Sequence, residues 1–470
     1  MEKRPIKFVV EACGGELVTG NLDTSWHRVC TDSRRVEPGD LFFALKGENF
    51  DGHEFVPEAV KRGAVGVVVR HGFQHEKTRG QCAVVVVDDT RAALGRLAAK
   101  HRAELGVTSV AVCGSNGKTT VKELLAAVLR QQFNTHSSPA SYNNDIGVPL
   151  TLLGLTRAHQ MLVAEAGTNH PGELAPLIRM IQPQIGVLTN VGREHMEFFG
   201  DLAGVAQEEG QLAELLPSDG LLVLDGDNDW ASYMAARTRA RVVRVGLSDK
   251  NDWRATDIQL DNRGVSFNVA APRKEYSGRY RVNLIGRHQV INALFAIAVG
   301  EELGLGRADI QRGLAECRPA PRRMQLYEKR GVWVLDDSYN ANPDSMRMAL
   351  RTLAELPCSG RRVAVLGDMA EQGEHSVAAH IEVGRLAAEL GIGQLFAVGK
   401  MAPVTAQAAR AAGLTRVMEF TELEAASCAL RKFVRPGDLV LLKASRVARL
   451  ERLAEAICNP EAQILECCFI

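Results

Sequence analysis

Residues 108–129 constrain the chain more than any other stretch. An apolar run, Val110-Ala111-Val112-Cys113, ends on Gly114-Ser115-Asn116-Gly117-Lys118-Thr119-Thr120. An amphipathic pattern over Lys122 to Phe133 follows, with Leu124, Leu125, Val128 and Leu129 on one face. A buried strand, a glycine loop and a helix start, in that order, make a phosphate cradle. The glycines let backbone N–H groups turn toward one anion, and the helix N-terminus adds partial positive charge. Lys118 is then expected to reach the β/γ-phosphates and the Thr119 hydroxyl to ligate Mg²⁺. The full pattern carries a further glycine six residues before the lysine. Here that position is Val112, so the loop is a shortened form.

The 470 residues allow roughly two to four domains. Before the loop, Leu41 to Leu45, Val65 to Val69 and Ala83 to Val87 read as strands. Helical patterns cover Val56 to Arg62 and Leu94 to Leu105. This predicts a small α/β domain over residues 1–101 and a central ATPase-type α/β domain over 102–318, closed by the breaker Arg318-Pro319-Ala320-Pro321. From 319 to 470, apolar runs at Val332 to Leu335, Val363 to Leu366, Leu395 to Val398 and Leu439 to Leu442 alternate with helices around 344–355, 376–390, 402–412 and 422–433. That alternation predicts a doubly wound, Rossmann-like domain. No G-x-G-x-x-G follows its strands, which argues against a dinucleotide cofactor and an oxidoreductase.

Several polar clusters stand where strands end. Met161-Leu162-Val163-Ala164 reads as a buried strand ending on Glu165, where an α/β ATPase places a carboxylate for Mg²⁺. The run Ile185 to Asn190 leads to His195, as often a packed residue as a ligand. Ser141-Tyr142-Asn143-Asn144-Asp145 suits a loop that meets a ligand. A helix opening at Gly286-Arg287-His288-Gln289 can bring His288 or Asn292 to a nucleotide base. Ser33 and Arg34 can hydrogen-bond a diphosphate, although composition alone favours a solvated turn there. In the last domain the clusters are Asp336 to Pro343, Gly367-Asp368-Met369 and Lys443-Ala444-Ser445-Arg446.

The formal net charge is zero, so no basic field draws nucleic acid or an acidic membrane. No apolar stretch reaches transmembrane length, and the first residues lack the apolar run of a signal peptide. The ten cysteines form no C-x-x-C pair and read as reduced, mostly buried thiols of a cytoplasmic protein.

These segments, in this order, resemble the Mur ligase family of ATP-dependent amide-forming enzymes. Thr31-Asp32-Ser33-Arg34, Gly114 to Thr120, Tyr142-Asn143-Asn144, Glu165 with Gly167, and His195 fall in register over nearly the whole chain. Asp336 to Pro343, Gly367-Asp368-Met369-Ala370-Glu371 and Lys443 to Arg446 look most like the members that add a dipeptide. The D-N-P-R segment of the diaminopimelate-adding relatives is absent. The resemblance implies an N-terminal domain for the UDP end of the substrate, a central ATPase and a C-terminal domain for the incoming dipeptide. It further implies that UDP-N-acetylmuramoyl-tripeptide is activated by ATP as an acyl phosphate and then joined to D-alanyl-D-alanine, in an enzyme of peptidoglycan precursor synthesis that is expected to be cytoplasmic and monomeric.

Site residues follow from the same resemblance. Thr119 and Glu165 would hold one Mg²⁺, and His195 a second. Arg323, Asn292 and Asp337 would contact ATP phosphate, base and ribose. Ser33 and Arg34 match UDP contacts, Asn144 a substrate-loop position, and Asn340 and Asn342 nucleotide or dipeptide contacts. Many relatives carry a carbamylated lysine in the helix after the histidine, and counting from Gly200 puts Glu209 there. Glu209 is expected to supply the acidic oxygens directly; a solvated helix face is the alternative. Ala444 stands where relatives usually have glycine. Two rivals stay open: addition of a single amino acid or of glutamate to a folate, and an ATP-gated binding protein that hydrolyses slowly.

Overall fold

The structure, a computed structural model, describes residues 2–47, 49–74 and 80–458. Three α/β layers follow one another along the chain, as the alternation of patterns requires. The first is a five-stranded sheet in the order Glu16–Thr19, Ala83–Val87, Gly66–Arg70, Asp40–Phe43, Arg28–Cys30, with its last four strands mutually parallel. A two-stranded pair, Arg4–Pro5 with Ser25–Trp26, lies beside it in sequence.

The central sheet has nine strands. Thr108–Cys113 lies between Met161–Glu165 and Ile185–Leu188, parallel to both. Its side chains alternate between two cores: Ala111 and Cys113 join one apolar cluster, Val110 and Val112 the other. Burial on both faces explains why the strand reads as a continuous apolar run. The first cluster also takes in Ile6, Phe8, Leu94 and Leu97, so the N-terminal layer shares a core with the central one through helix Thr90–Ala103. On the other face, helix Gln289–Glu302 packs on helix Lys118–Leu129 and is buried almost all round, from Val290 to Gly300. Because the three parallel strands run the same way, the phosphate loop, Glu165 and the segment leading to His195 all emerge at one edge.

The third layer is a six-stranded sheet in the order Gln325–Lys329, Val332–Asp336, Leu439–Lys443, Arg362–Gly367, Gln394–Val398, Val417–Phe420. Only its first strand is antiparallel. Three polar clusters of the sequence therefore end adjacent parallel strands, the usual place for a ligand in such a sheet.

The expected α/β class and the doubly wound last layer are both present, with differences of detail. The helix after the phosphate loop spans Lys118–Leu129, four residues earlier than the apolar pattern predicts. Periodicity reports only the buried face, and the first turn is polar because it faces the loop. Some strands enter only with the structure: Gly264–Ala270 and Gly278–Val282, although Val265, Phe267 and Val269 alternate with Ser266 and Asn268, and the edge strands Gln325–Lys329 and Val417–Phe420. Cys13, Cys30, Cys82, Cys113 and Cys317 are buried free thiols, as expected. Among the described residues no helix is long and apolar enough to cross a membrane.

Candidate active site

The loop Gly114 to Gly117 is held by its neighbour strand. Gly114 has φ 115°, and a Cβ there would lie 2.8 Å from Asn190 O and 2.9 Å from Asn190 N, so only glycine fits. Asn190 clasps the loop with both ends of its amide: Oδ1 accepts from the Asn116 N–H (3.1 Å) and Nδ2 donates to the Asn116 carbonyl (3.0 Å). Ser115 Oγ accepts from the Gly192 N–H at 2.8 Å. Gly117, at φ 87°, turns the chain into the helix that Lys118, Thr119 and Thr120 open, and a Cβ there would lie 2.9 Å from Asn292 Oδ1. Asn292 is thus packed on the loop, its Nδ2 donating to Gln289 Oε1 at 2.9 Å.

Lys118 folds over this loop. Its Nζ donates to the Gly114 carbonyl at 2.5 Å and lies 3.4 Å from both carboxylate oxygens of Glu194. Burial alone depresses the ammonium pKa, but Glu194, Glu209 and Glu165 outweigh it, and the pKa lies above the usual lysine value. Burial raises the Glu194 carboxyl, with Lys118 and His195 pulling the other way. The lysine is therefore a fixed positive charge, placed to meet phosphate oxygens.

Around it lie buried oxygens without partners. Thr119 Oγ1, Glu165 Oε2 and both Glu209 oxygens are shut off from solvent and accept no hydrogen bond. Glu165 Oε1 accepts from Asn143 Nδ2 at 2.9 Å, which orients the carboxylate. Burial pushes the Glu209 carboxyl up to about 8, against the pull of Lys118. Unsatisfied buried oxygens are costly and call for a partner. Hard, anionic oxygens beside a phosphate loop fit Mg²⁺, which binds through one or two carboxylates and completes its shell with phosphate and water. Among the described residues no three His, Cys, Asp or Glu side chains converge as a ready cage. Glu165, His195 and Glu209 are thus separate donors around the lysine, not one cluster.

His195 sits in the left-handed region at φ 49°, a strained conformation for a non-glycine residue. Its Nδ1 lies 2.6 Å from Glu371 Oε2 on the six-stranded layer, and its Nε2 lies 3.9 Å from Glu194 Oε2. Contact with His195 holds the Glu371 carboxyl below its usual range. Further contacts tie the two layers together. Arg193 donates to Asp344 Oδ1 (2.7 Å) and Glu382 Oε2 (2.6 Å). Asn342 caps helix Pro343–Glu355 by accepting from the Ser345 N–H at 2.8 Å, while its Nδ2 donates to Asn116 Oδ1 at 2.9 Å.

The other expected residues are distributed as follows. Asp337 accepts from Lys443 Nζ at 2.5 Å and from the Met324 N–H at 3.1 Å. The Arg323 guanidinium lies over the Tyr339 ring and reaches Ser141 Oγ at 3.4 Å. Asn144 Oδ1 accepts from the Ile146 and Gly147 N–H groups, so its neighbour Asn143 is the one that meets Glu165. Asn340 is exposed, and its carbonyl accepts from Lys443. Ser33 and Arg34 lie in a turn beside the five-stranded sheet, where Arg34 pairs with Asp32 at 2.9 Å. His288 is half-buried, and desolvation depresses it to about 4. Glu194, Arg193 and Glu371 were not assigned roles by sequence reading. The only signal for the first two is adjacency to His195, and Glu371 ends the segment Gly367-Asp368-Met369-Ala370-Glu371.

Comparison with known proteins finds relatives along nearly the whole chain. "Mur ligase middle domain" matches residues 112–300, "Mur ligase, glutamate ligase domain" residues 322–446, and "Mur ligase family, catalytic domain" residues 25–102. The UDP-N-acetylmuramoyl-tripeptide–D-alanyl-D-alanine ligase of Escherichia coli is 37% identical over 452 residues, 94% of this chain and 96% of that one. The Bacillus subtilis protein of the same name is 33% identical, over 97% and 98%. Among solved structures, MurF from Acinetobacter baumannii superposes with a TM-score of 0.89 at 31% identity, covering 98% of this chain and 99% of that one. The MurF ligase of Thermotoga maritima in complex with ADP gives 0.79 at 26% identity, covering 92% and 97%.

Proposed function

The chain belongs to the Mur ligase family, and from that membership we propose that it joins D-alanyl-D-alanine to UDP-N-acetylmuramoyl-tripeptide at the expense of ATP, for peptidoglycan precursor synthesis. It is an ATP-dependent C–N ligase that uses Mg²⁺. The observation that carries the reading is the buried Lys118 ringed by the partnerless oxygens of Thr119, Glu165 and Glu209.

The difficulty of the reaction is electrostatic. A carboxylate must approach a polyphosphate, so neutralisation and alignment dominate the barrier. Lys118 lies against the β/γ-phosphates, and the N–H groups from Gly114 to Thr120 cradle them. Thr119 and Glu165 would hold one Mg²⁺, and His195 with Glu209 a second; bound there, the metal would supply charge neutralisation between phosphate and carboxylate. The terminal carboxylate of the tripeptide takes the γ-phosphoryl group and becomes an acyl phosphate. The dipeptide amine then forms the amide bond, and phosphate departs. Arg323, Asn292 and Asp337 bind the nucleotide. Ser33 and Arg34 bind the UDP end, Asn144 steadies the tripeptide, and Asn340 and Asn342 line the junction of nucleotide and dipeptide.

We divide the labour among residues 1–101 for the UDP moiety, 102–318 for ATP and 319–470 for the acceptor. One chain supplies all of these groups, which supports a monomer. The supply of ATP and of a UDP-linked precursor supports a cytoplasmic site. The test is to mix protein, ATP, Mg²⁺, UDP-muramoyl tripeptide and D-alanyl-D-alanine and follow pentapeptide by mass and phosphate by colorimetry. Both must require both substrates, and Lys118→Ala must lose product by about 10³-fold or more. Phosphate release without an acceptor, at the same rate, would instead point to a slow ATPase.

A further inference from the structure

The turn Lys443-Ala444-Ser445-Arg446 has one side chain left over. Lys443 is engaged with Asp337 (2.5 Å) and the Asn340 carbonyl (3.1 Å), and Ser445 Oγ accepts from the Ala370 N–H (2.8 Å). Arg446 is exposed, and among the described residues it has no carboxylate partner. Its guanidinium carbon lies 5.4 Å from the centre of the Tyr339 ring. The Arg323 guanidinium lies 4.1 Å from the same ring and also has no acid partner among the described residues. Two like charges sharing one ring repel, and the ring's attraction for each offsets that only in part. Each unpaired guanidinium is thus left free to offer its fork to an anion.

The two arginines face different layers. Arg323 reaches Ser141, in the same loop as Asn143 and thus on the side of Glu165 and the phosphate loop. Arg446 stands three residues beyond strand Leu439–Lys443 of the six-stranded sheet, where it opens the 3-10 turn Arg446–Ala448, and the next residue, Val447, is 76% exposed. We propose that Arg446, steadied on Tyr339, binds the terminal carboxylate of the acceptor dipeptide. Arg323 faces the nucleotide phosphates, and Val447 offers apolar surface to the acceptor's methyl groups. The acceptor must then be a free acid at its far end. This assignment rests on the ligase reading above.

The test compares D-alanyl-D-alanine with its C-terminal carboxamide in the full-length enzyme. Wild type should prefer the acid by about 10- to 100-fold in kcat/KM. Arg446→Ala should raise KM for the acid by a similar factor, lose the preference and leave KM for ATP within about twofold; Arg446→Lys should recover part of it. A thermal midpoint equal to wild type checks folding, as expected for an exposed side chain. A wild type indifferent to the amide, or an Arg446→Ala enzyme that still prefers the acid, overturns the assignment. If Arg446 only braces Tyr339, its loss will slow acid and amide alike, and that too overturns it. No product from either acceptor in wild type would bring down the ligase reading itself, and this assignment with it.

Discussion

His195 Nδ1 and Glu371 Oε2 lie 2.6 Å apart, joining the nine-stranded layer to the six-stranded one at the mouth of the phosphate loop. The carboxylate that faces this nitrogen comes from a layer other than the histidine's own. Docking of the last layer is therefore part of building the site, as in enzymes whose catalytic constellation is completed by closure.

Glu371→Gln should keep the fold and lose the carboxylate that faces His195 Nδ1. The expected result is a fall of roughly tenfold in kcat, the scale of one charge-assisted contact, with KM for ATP little changed. Steady-state kinetics at saturating Mg²⁺ decides it, and an effect confined to KM for ATP would count against it.

Arg193 bridges Asp344 and Glu382, and Arg347 reinforces Glu382. Hydrogen bonds from Arg193, and then Arg347, pull the Glu382 carboxyl down to about 2. Glu382 thus stays charged across the range of an ordinary assay. Arg193→Ala should enlarge the radius of gyration measured by solution scattering with ATP and tripeptide bound, and lower kcat. An unchanged scattering profile would show that the clamp does not hold the layers together.

Glu209 is almost completely buried and neither of its oxygens has a partner. Glu209→Gln is nearly isosteric, so folding should survive. The divalent-ion concentration for half-maximal nucleotide binding should rise by about 10- to 100-fold. Binding of Mn²⁺ followed by electron paramagnetic resonance reads this without turnover. Equal Mn²⁺ affinity in both proteins removes Glu209 from the metal site.

Asp225 tests linkage away from the site. Burial raises its carboxyl from 3.8 to about 6. Between those values the folded chain keeps a proton that the unfolded chain has released, so this group's contribution to stability falls as pH rises through the window. Asp225→Asn retains an oxygen for the Asp227 N–H, which Asp225 Oδ1 accepts at 2.9 Å. Its stabilising effect should be small at pH 4 and reach up to about 3 kcal/mol at pH 7. Equal shifts in thermal midpoint at the two pH values would refute the argument.

What the sequence determined by itself is local. The run Val110 to Cys113, the glycines at 114 and 117 and the lysine after them are contiguous, so strand, loop and helix start could be named, and burial on both faces marked the parallel strands. The carboxylate at Glu165 followed because a strand end is itself a local signal. Tertiary structure decided the partners: Glu194 meets Lys118 across 76 residues, and Asn342 meets Asn116 across 226. It also decided which member of the Asn143-Asn144 pair touches Glu165 and which ring Arg323 and Arg446 share. The reason is physical. Hydrophobic period and turn chemistry act within a few residues, whereas the charge around a buried group depends on everything the fold packs against it.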